Sequence, residues 1–235
     1  EGAVSLQNVV LDYRGGDDVD TVTGTAAADL LAGGFGDDSL TTGGGADTMV
    51  GGDGNDTFVV EGFDSQQDII VINDYEVVLT GGEGAVVGDT LDLVGVGEGG
   101  GGAFDVGEAA VDQRVDIGGG AVTREDGVTI ESYQIGEDGN VTLYNSNTAT
   151  ATIDPVFAET AADVIAIADA LLLNLLDLDA DGGVFAFGLD ADGNGAAEST
   201  IVVSTDATEV NIVQLVGIAP GAGFGTAADG DLNIA

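Results

Sequence analysis

From Gly15 to Val59 the chain repeats itself every nine residues without a break. The blocks read GGDDVDTVT, GTAAADLLA, GGFGDDSLT, TGGGADTMV and GGDGNDTFV. Position six is Asp in every block: Asp20, Asp29, Asp38, Asp47 and Asp56. Position eight is always apolar: Val22, Leu31, Leu40, Met49 and Phe58. A fixed period is the mark of a stacked architecture, in which each unit buries its apolar residue only against its neighbours. A Gly/Asp-rich flexible linker, the plain alternative, has no reason to keep an apolar residue at position eight.

Composition narrows the chemistry. The 235 residues carry 43 acidic side chains against three basic ones, a formal charge of -40, with no His and no Cys. Without His there is no Ser-His-Asp triad and no imidazole acid/base. Without Cys there is no disulfide, thiol nucleophile or zinc-thiolate site. So negative a chain is unsuited to nucleic acid, whose phosphates require Lys and Arg, and to an anionic membrane. At 44% hydrophobic residues it is not a disordered acidic tail. Carboxylates on a Gly-rich backbone (41 Gly) suit calcium, which takes hard oxygen ligands.

The blocks resemble the RTX nonapeptide, G-G-x-G-x-D-x-U-x, of calcium-bound parallel β-rolls. Blocks three and five match throughout. Block four departs at Thr42, block one has Asp18 at the fourth position, and block two departs most, with Thr25, Ala26 and Ala27. The resemblance implies that GGxGxD is a turn and xUx a short strand. Two blocks make one coil, so each loop stacks on the loop 18 residues on. One column then holds Asp20, Asp38 and Asp56, and the other Asp29 and Asp47. Side chains 22, 40 and 58 line one sheet and face 31 and 49 on the other. Calcium between stacked loops would take these carboxylates and the turn backbone of Gly33, Gly34, Gly36, Gly51, Gly52, Asp53 and Gly54. Folding would then depend on the ion.

Asp68–Tyr75 and Gly88–Leu93 are similar to the segment that closes RTX rolls, D-x-I-x-D-F … G-D-x-L-D-L, with Tyr75 replacing Phe; two ordinary amphipathic strands are compatible with the same capping role. Residues 95–102 (GVGEGGGG) suggest a boundary. We therefore expect residues 1–94 to form the roll with its capping strands, and 95–235 a strand-rich C-terminal region. The fold class expected is mainly all-β: a parallel calcium β-roll followed by a β-sandwich-like region with one buried helix.

In that second region Val128–Ile135 and Val141–Tyr144 predict a hairpin, and residues 145–152 an edge strand or loop. Thr160–Leu176 predicts the helix, opened by a capping-box spacing of Thr160 and Asp163, and buried between sheets or in a subunit contact. Gly183–Leu189, Ser199–Thr205 and Val210–Ile218 predict strands. Between the first two, Asp190, Asp192, Asn194 and Glu198 hold positions 1, 3, 5 and 9 of a loop resembling the calcium hairpins of integrins; an acidic hairpin turn is the plain alternative. Asp177–Gly182 opens like an EF-hand, but position 12 is Gly188 instead of Glu. No membrane span and no N-terminal signal peptide are expected. Asp231-Leu232-Asn233-Ile234 is similar to the uncleaved C-terminal signal read by type I exporters. The start Glu1-Gly2-Ala3 suits a processed chain or a piece of a longer one.

These readings imply a secreted, calcium-dependent structural protein, such as an S-layer, fibre or adhesin-like subunit at the cell surface. It would self-associate into a homo-oligomer or polymer through calcium-dependent contacts and meet a type I exporter on its way out. The alternative is the C-terminal calcium-binding and secretion module of a larger protease or lipase. An enzyme within these residues is disfavoured: carboxylate pairs are so abundant that none is singled out.

Overall fold

The computed structural model describes residues 9–61, 68–76, 79–80, 86–93, 114–117, 121–136, 140–145, 155–174, 183–205, 210–220, 224–226 and 232–234. The expected boundary at 95–102, the EF-hand-like loop at 177–182, most of 145–152 and Asp231 of the C-terminal signal lie outside them.

The repeat winds as its period demands. Strands β1 (Asp12–Arg14), β3 (Leu30–Phe35), β5 (Thr48–Asp53) and β7 (Ile69–Ile72) stack in parallel on one side. On the other side are β2 (Thr21–Thr23), β4 (Ser39–Thr41), β6 (Thr57–Val60) and, after the short hairpin β8 (Leu79–Thr80) and β9 (Val86–Val87), β10 (Thr90–Leu93). Register confirms the 18-residue coil: Tyr13 lies beside Leu31 and Leu31 beside Met49, while Val22, Leu40, Phe58 and Leu91 form the facing row. Leu31, Leu40, Met49, Phe58, Ile72 and Leu91 are fully buried together.

Two features depart from expectation. Strands β3 and β5 run six residues, through the glycine pair, so that Gly34 sits beside Gly52 in the ladder. Glycine pairs let the backbones stack where a side chain would hold them apart. Second, β7 and β10 continue the roll by one coil but are not its outermost strands. Val210–Val216 pairs in parallel with β7, and Leu232–Ile234 pairs with β10.

The remaining strands explain this. After β11 (Arg114–Asp116), β12 (Val122–Thr123), β13 (Thr129–Ile130), β14 (Ser132–Ile135) and β15 (Val141–Tyr144) come helix α1 (Ala161–Asn174) and strands β16 (Gly183–Leu189), β17 (Ser199–Thr205), β18 (Val210–Val216), β19 (Phe224–Thr226) and β20 (Leu232–Ile234). One seven-stranded sheet runs β1-β3-β5-β7-β18-β17-β16, and one six-stranded sheet runs β19-β20-β10-β6-β4-β2. Both therefore contain strands from either side of the expected boundary. The predicted strand 128–135 is interrupted at Glu131: β13 pairs with β12, whereas β14 pairs with β15 and β11.

Strands β16–β18 are buried on both faces, which is why they read as continuous apolar runs. Val184, Ala186, Val202, Val213 and Leu215 join the roll's core. Phe185, Phe187, Ile201, Val203 and Ile212 form a second core with Val164, Ile167, Ala168 and Leu171 of α1. The helix starts as its sequence predicts: Asp163 N–H donates to Thr160 Oγ1 at 3.1 Å and Thr160 N–H to Asp163 Oδ2 at 3.0 Å. Among the described residues, no helix is long and apolar enough to cross a membrane.

Candidate metal centre

Position-six Asp side chains do two things at once. One oxygen takes the backbone N–H of the coil before: Asp20 N–H donates to Asp38 Oδ1 at 2.7 Å, Asp38 N–H to Asp56 Oδ1 at 2.8 Å, and Asp29 N–H to Asp47 Oδ1 at 2.8 Å. The second oxygen of Asp38, Asp47 and Asp56 is shut off from solvent and has no hydrogen-bond partner. A carboxylate oxygen left bare in a protein interior costs several kcal/mol unless a cation meets it. Among the described side chains no arginine serves this role: Arg14 pairs with Asp12 on the surface, and Arg124 is buried against Asp126 and Glu159. The Arg114 side chain lies outside the described ones.

First-position glycines show where a cation fits. A Cβ on Gly33 would lie 2.1 Å from Asp38 Oδ2 and 2.6 Å from the Gly51 carbonyl oxygen. One on Gly15 would meet the Gly33 carbonyl oxygen at 1.9 Å and Asp20 Oδ2 at 2.3 Å; one on Gly24, the Thr42 carbonyl oxygen at 2.1 Å. At each place a carboxylate and the carbonyl of the next coil converge on space that only glycine leaves open. All donors are hard oxygens, as calcium requires. Asp20, Asp29, Asp38, Asp47 and Asp56, with the carbonyls of Gly33 and Gly51, would hold the ions, and a bound ion supplies the positive charge that lets these loops stack.

The other glycines named from the sequence serve the stacking itself. Gly34, Gly36, Gly52 and Gly54 have positive φ, and Cβ atoms on Gly52 and Gly54 would come within 2.0 and 2.1 Å of the carbonyl oxygens of Gly34 and Gly36. Asp53 is exposed, its carbonyl taking the Gly36 N–H at 2.9 Å. Block two departs in its site as in its sequence: the Thr25 hydroxyl lies 3.2 Å from Asp29 Oδ1, where the other blocks have glycine, while Leu11 N–H keeps the regular bond to Asp29 at 2.6 Å. The Thr42 departure has a local reason: its buried hydroxyl donates to the Glu61 carbonyl at 2.7 Å and accepts the Glu61 N–H at 3.0 Å.

Sequence reasoning quoted Asp74 and Asp89 only as parts of the closing segment. Asp89 is the next rung of the column, accepting the Asp56 N–H at 2.9 Å, and Glu76 N–H donates to its other oxygen at 2.7 Å. Asp74 accepts the N–H groups of Gly51 and Gly52 at 2.9 and 2.8 Å, closing the last turn. Tyr75, where Phe is usual, donates its hydroxyl to the Asp89 carbonyl at 2.8 Å and packs near Phe58. Two clues were in the sequence: Asp89-Thr90-Leu91 repeats the D-x-U step of the nonapeptide, and the hydroxyl is the one atom that distinguishes Tyr75 from Phe.

Burial, then repulsion from neighbouring carboxylates, raises the Asp47 pKa to about 7 and the Asp89 pKa to about 6, and Asp56 moves the same way. Such groups prefer their protonated form in the metal-free fold. Their contribution to its stability is complete below the ordinary Asp pKa near 4 and is lost as pH rises through 6 to 7. Calcium needs them ionised. Binding at pH 6.5 should therefore release protons, and affinity should fall steadily from pH 7.5 to 5.5. Calorimetry in buffers of differing ionisation enthalpy measures both effects; a proton count of zero with constant affinity would contradict this assignment.

The loop between β16 and β17 brings together the four residues expected there. Carboxylate oxygens of Asp190, Asp192 and Glu198 all lie within 4.8 Å of one another. Asn194 joins them, its side-chain amide donating to Glu198 Oε1 at 2.8 Å and its N–H to Asp192 Oδ1 at 3.0 Å. Asp190 is buried and accepts the Gly195 N–H at 2.7 Å, whereas Asp192 is exposed.

Stacked loops, converging oxygens and bare buried carboxylates define a calcium-binding parallel β-roll. A family model, the RTX calcium-binding nonapeptide repeat (4 copies), matches residues 14–48 and 23–58. Residues 14–58 are thus RTX repeats, and their cofactor is calcium. The repeat is a calcium-binding structural motif and not a catalytic one. No curated protein and no solved structure matches the chain.

Proposed function

We propose that this protein is a secreted structural subunit, of the S-layer, fibre or adhesin-like kind, that folds and self-associates on meeting calcium outside the cell. RTX repeat proteins are typically secreted. A chain whose fold needs calcium stays unfolded in a calcium-poor cytosol and suits a type I exporter.

The observation that carries self-association is the open end of the roll. Among the described residues β1 pairs only with β3 and β2 only with β4, so two strand edges lie free side by side. Val10 and Val19 at this end are largely exposed, and Tyr13 and Val22 cover the core only in part. The strand Asp12-Tyr13-Arg14 is self-complementary. In an antiparallel two-fold pair centred on Tyr13, each Asp12 faces the other copy's Arg14, and the Thr21-Val22-Thr23 edges meet on the other side. Self-association at a net charge of -40 needs neutralisation, and since about five calcium ions offset only about ten of those charges, salt must screen the rest.

Electron microscopy and sedimentation with millimolar calcium should show ordered assemblies or dimers that EDTA disperses. Arg14→Glu should abolish the end-to-end contact while leaving the monomer folded. A strictly monomeric chain at high concentration in calcium would overturn the proposal. Recovery of a longer precursor with a catalytic domain would favour an exoenzyme's calcium and secretion module instead.

A further inference from the structure

We propose that the Thr42 side chain occupies a calcium position, so that this one level of the roll is a latent metal site that Thr42→Gly would open. The inference rests on the calcium roll, and not on self-assembly.

In blocks one, two, three and five the first position is glycine: Gly15, Gly24, Gly33 and Gly51. A Cβ on Gly15 would lie 2.3 Å from Asp20 Oδ2 of its own block and 1.9 Å from the carbonyl oxygen of Gly33, one coil on. On Gly33 the same two distances are 2.1 Å to Asp38 Oδ2 and 2.6 Å to the Gly51 carbonyl oxygen. On Gly24 they are 2.9 Å to Asp29 Oδ2 and 2.1 Å to the Thr42 carbonyl oxygen. Calcium sits about 2.3–2.6 Å from its oxygens. The point that a first-position Cβ would take is therefore close to the point that an ion would take. The two cannot share it.

Block four has the Cβ. Its backbone keeps the register of the others: Gly15 N–H donates to the Ala32 carbonyl at 2.8 Å, Gly24 N–H to that of Thr41 at 2.8 Å, and Thr42 N–H to that of Val59 at 3.0 Å. The Thr42 Cβ thus holds the place between Asp47 Oδ2 of its own block and the carbonyl of Val60, one coil on. Both walls of a site are present. Asp47 Oδ2 is closed to solvent and has no hydrogen-bond partner. Thr42 is fully buried, and its hydroxyl is committed to Glu61, donating to the carbonyl at 2.7 Å and accepting the N–H at 3.0 Å. This level lacks room, not oxygens.

The substitution spares the level before it. What that level needs from Thr42 is a backbone carbonyl, which does not depend on the side chain. Asp47 also stays on that side, its Oδ1 accepting the Asp29 N–H at 2.8 Å. The ion between Asp29 and the Thr42 carbonyl is therefore kept, with Asp47 beside it. Beyond Asp47 the two hydrogen bonds from Thr42 to Glu61 tie the coils together where an ion does so elsewhere. The other column keeps glycine at its last level, where a Cβ on Gly51 would lie 2.1 Å from Asp56 Oδ2.

Native mass spectrometry of the full chain in saturating calcium counts the ions. Thr42→Gly should bind one more than wild type. Thr42→Ala keeps the Cβ and lacks the hydroxyl, so it should bind the same number as wild type. An unchanged count in Thr42→Gly, or an equal gain in Thr42→Ala, would overturn the proposal. Should Thr42→Gly fail to fold, the wild-type chain decides. Anomalous scattering from crystals grown in calcium should place an ion between Asp29 and the Thr42 carbonyl and none between Asp47 and the Val60 carbonyl. An ion at the second place, with the other levels filled, would overturn this inference alone. A wild-type chain that binds no calcium at any level would overturn the roll reading and this one with it.

Discussion

Calcium removal at pH 7.5 should unfold the roll outright. In millimolar calcium the far-UV spectrum should be that of a strand-rich protein, and excess EDTA should convert it to one dominated by unordered chain. The bare oxygens of Asp38, Asp47 and Asp56 set the size of the effect, because without the ion they lie in a dry interior, Asp47 beside the charge of Asp29 and Asp56 beside that of Asp38. An ion held at one hundred times its dissociation constant stabilises by about 2.7 kcal/mol, so five would contribute about 13 kcal/mol. That equals the whole stability of a typical domain, about 5–15 kcal/mol. Sodium chloride at matched ionic strength should not restore the strands, since screening supplies no ligands, and magnesium should do so poorly because it demands a tighter octahedron. An unchanged spectrum in EDTA would contradict a calcium-dependent fold.

The second large effect concerns Gly16, Gly34 and Gly52, which occupy one motif position in successive coils. A Cβ on Gly52 would lie 2.0 Å from the Gly34 carbonyl oxygen, and one on Gly34 would lie 2.4 Å from that of Gly16. Both glycines also have φ near +110 to +122. Among the described residues no coil lies outside Gly16, and a Cβ there meets nothing within 4 Å. Gly52→Ala should cost about 3–5 kcal/mol, from left-handed backbone strain plus the clash. Gly16→Ala should change stability by no more than about 0.5 kcal/mol. Thermal unfolding in saturating calcium compares them. Equal losses at both positions would mean that the coils are not stacked in this register.

Much of the metal centre was legible because a nonapeptide is a local instruction. Glycine pairs, an Asp four residues on and one apolar side chain set turn, ligand and strand within nine residues, and stacking copies 18 apart follows from two turns per coil. Asp89 and Asp74 were harder, because they cap the column from outside the unbroken period, where spacing no longer points to them. The Asp190 loop was readable for the same local reason as the repeat.

What surrounds the roll depends on contacts distant in sequence. Nothing near Ile69 states that its strand will be covered by Ile212, or that Leu232 will lie beside Leu91. Both β7 and β10 were readable as strands, and a free strand edge predicts some cover, but hydrogen bonding along an edge is nearly indifferent to which strand supplies it. Choice of partner fell to the packing of whole faces. Strands β16–β18 carry apolar side chains on both sides, one set completing the roll's core and the other receiving α1. Sequence alone thus determined a calcium-binding coil and the Asp and Gly positions whose oxygens converge between its turns. Only tertiary packing decided that two sheets would run on past the repeat, because that choice rests on burying two faces at once.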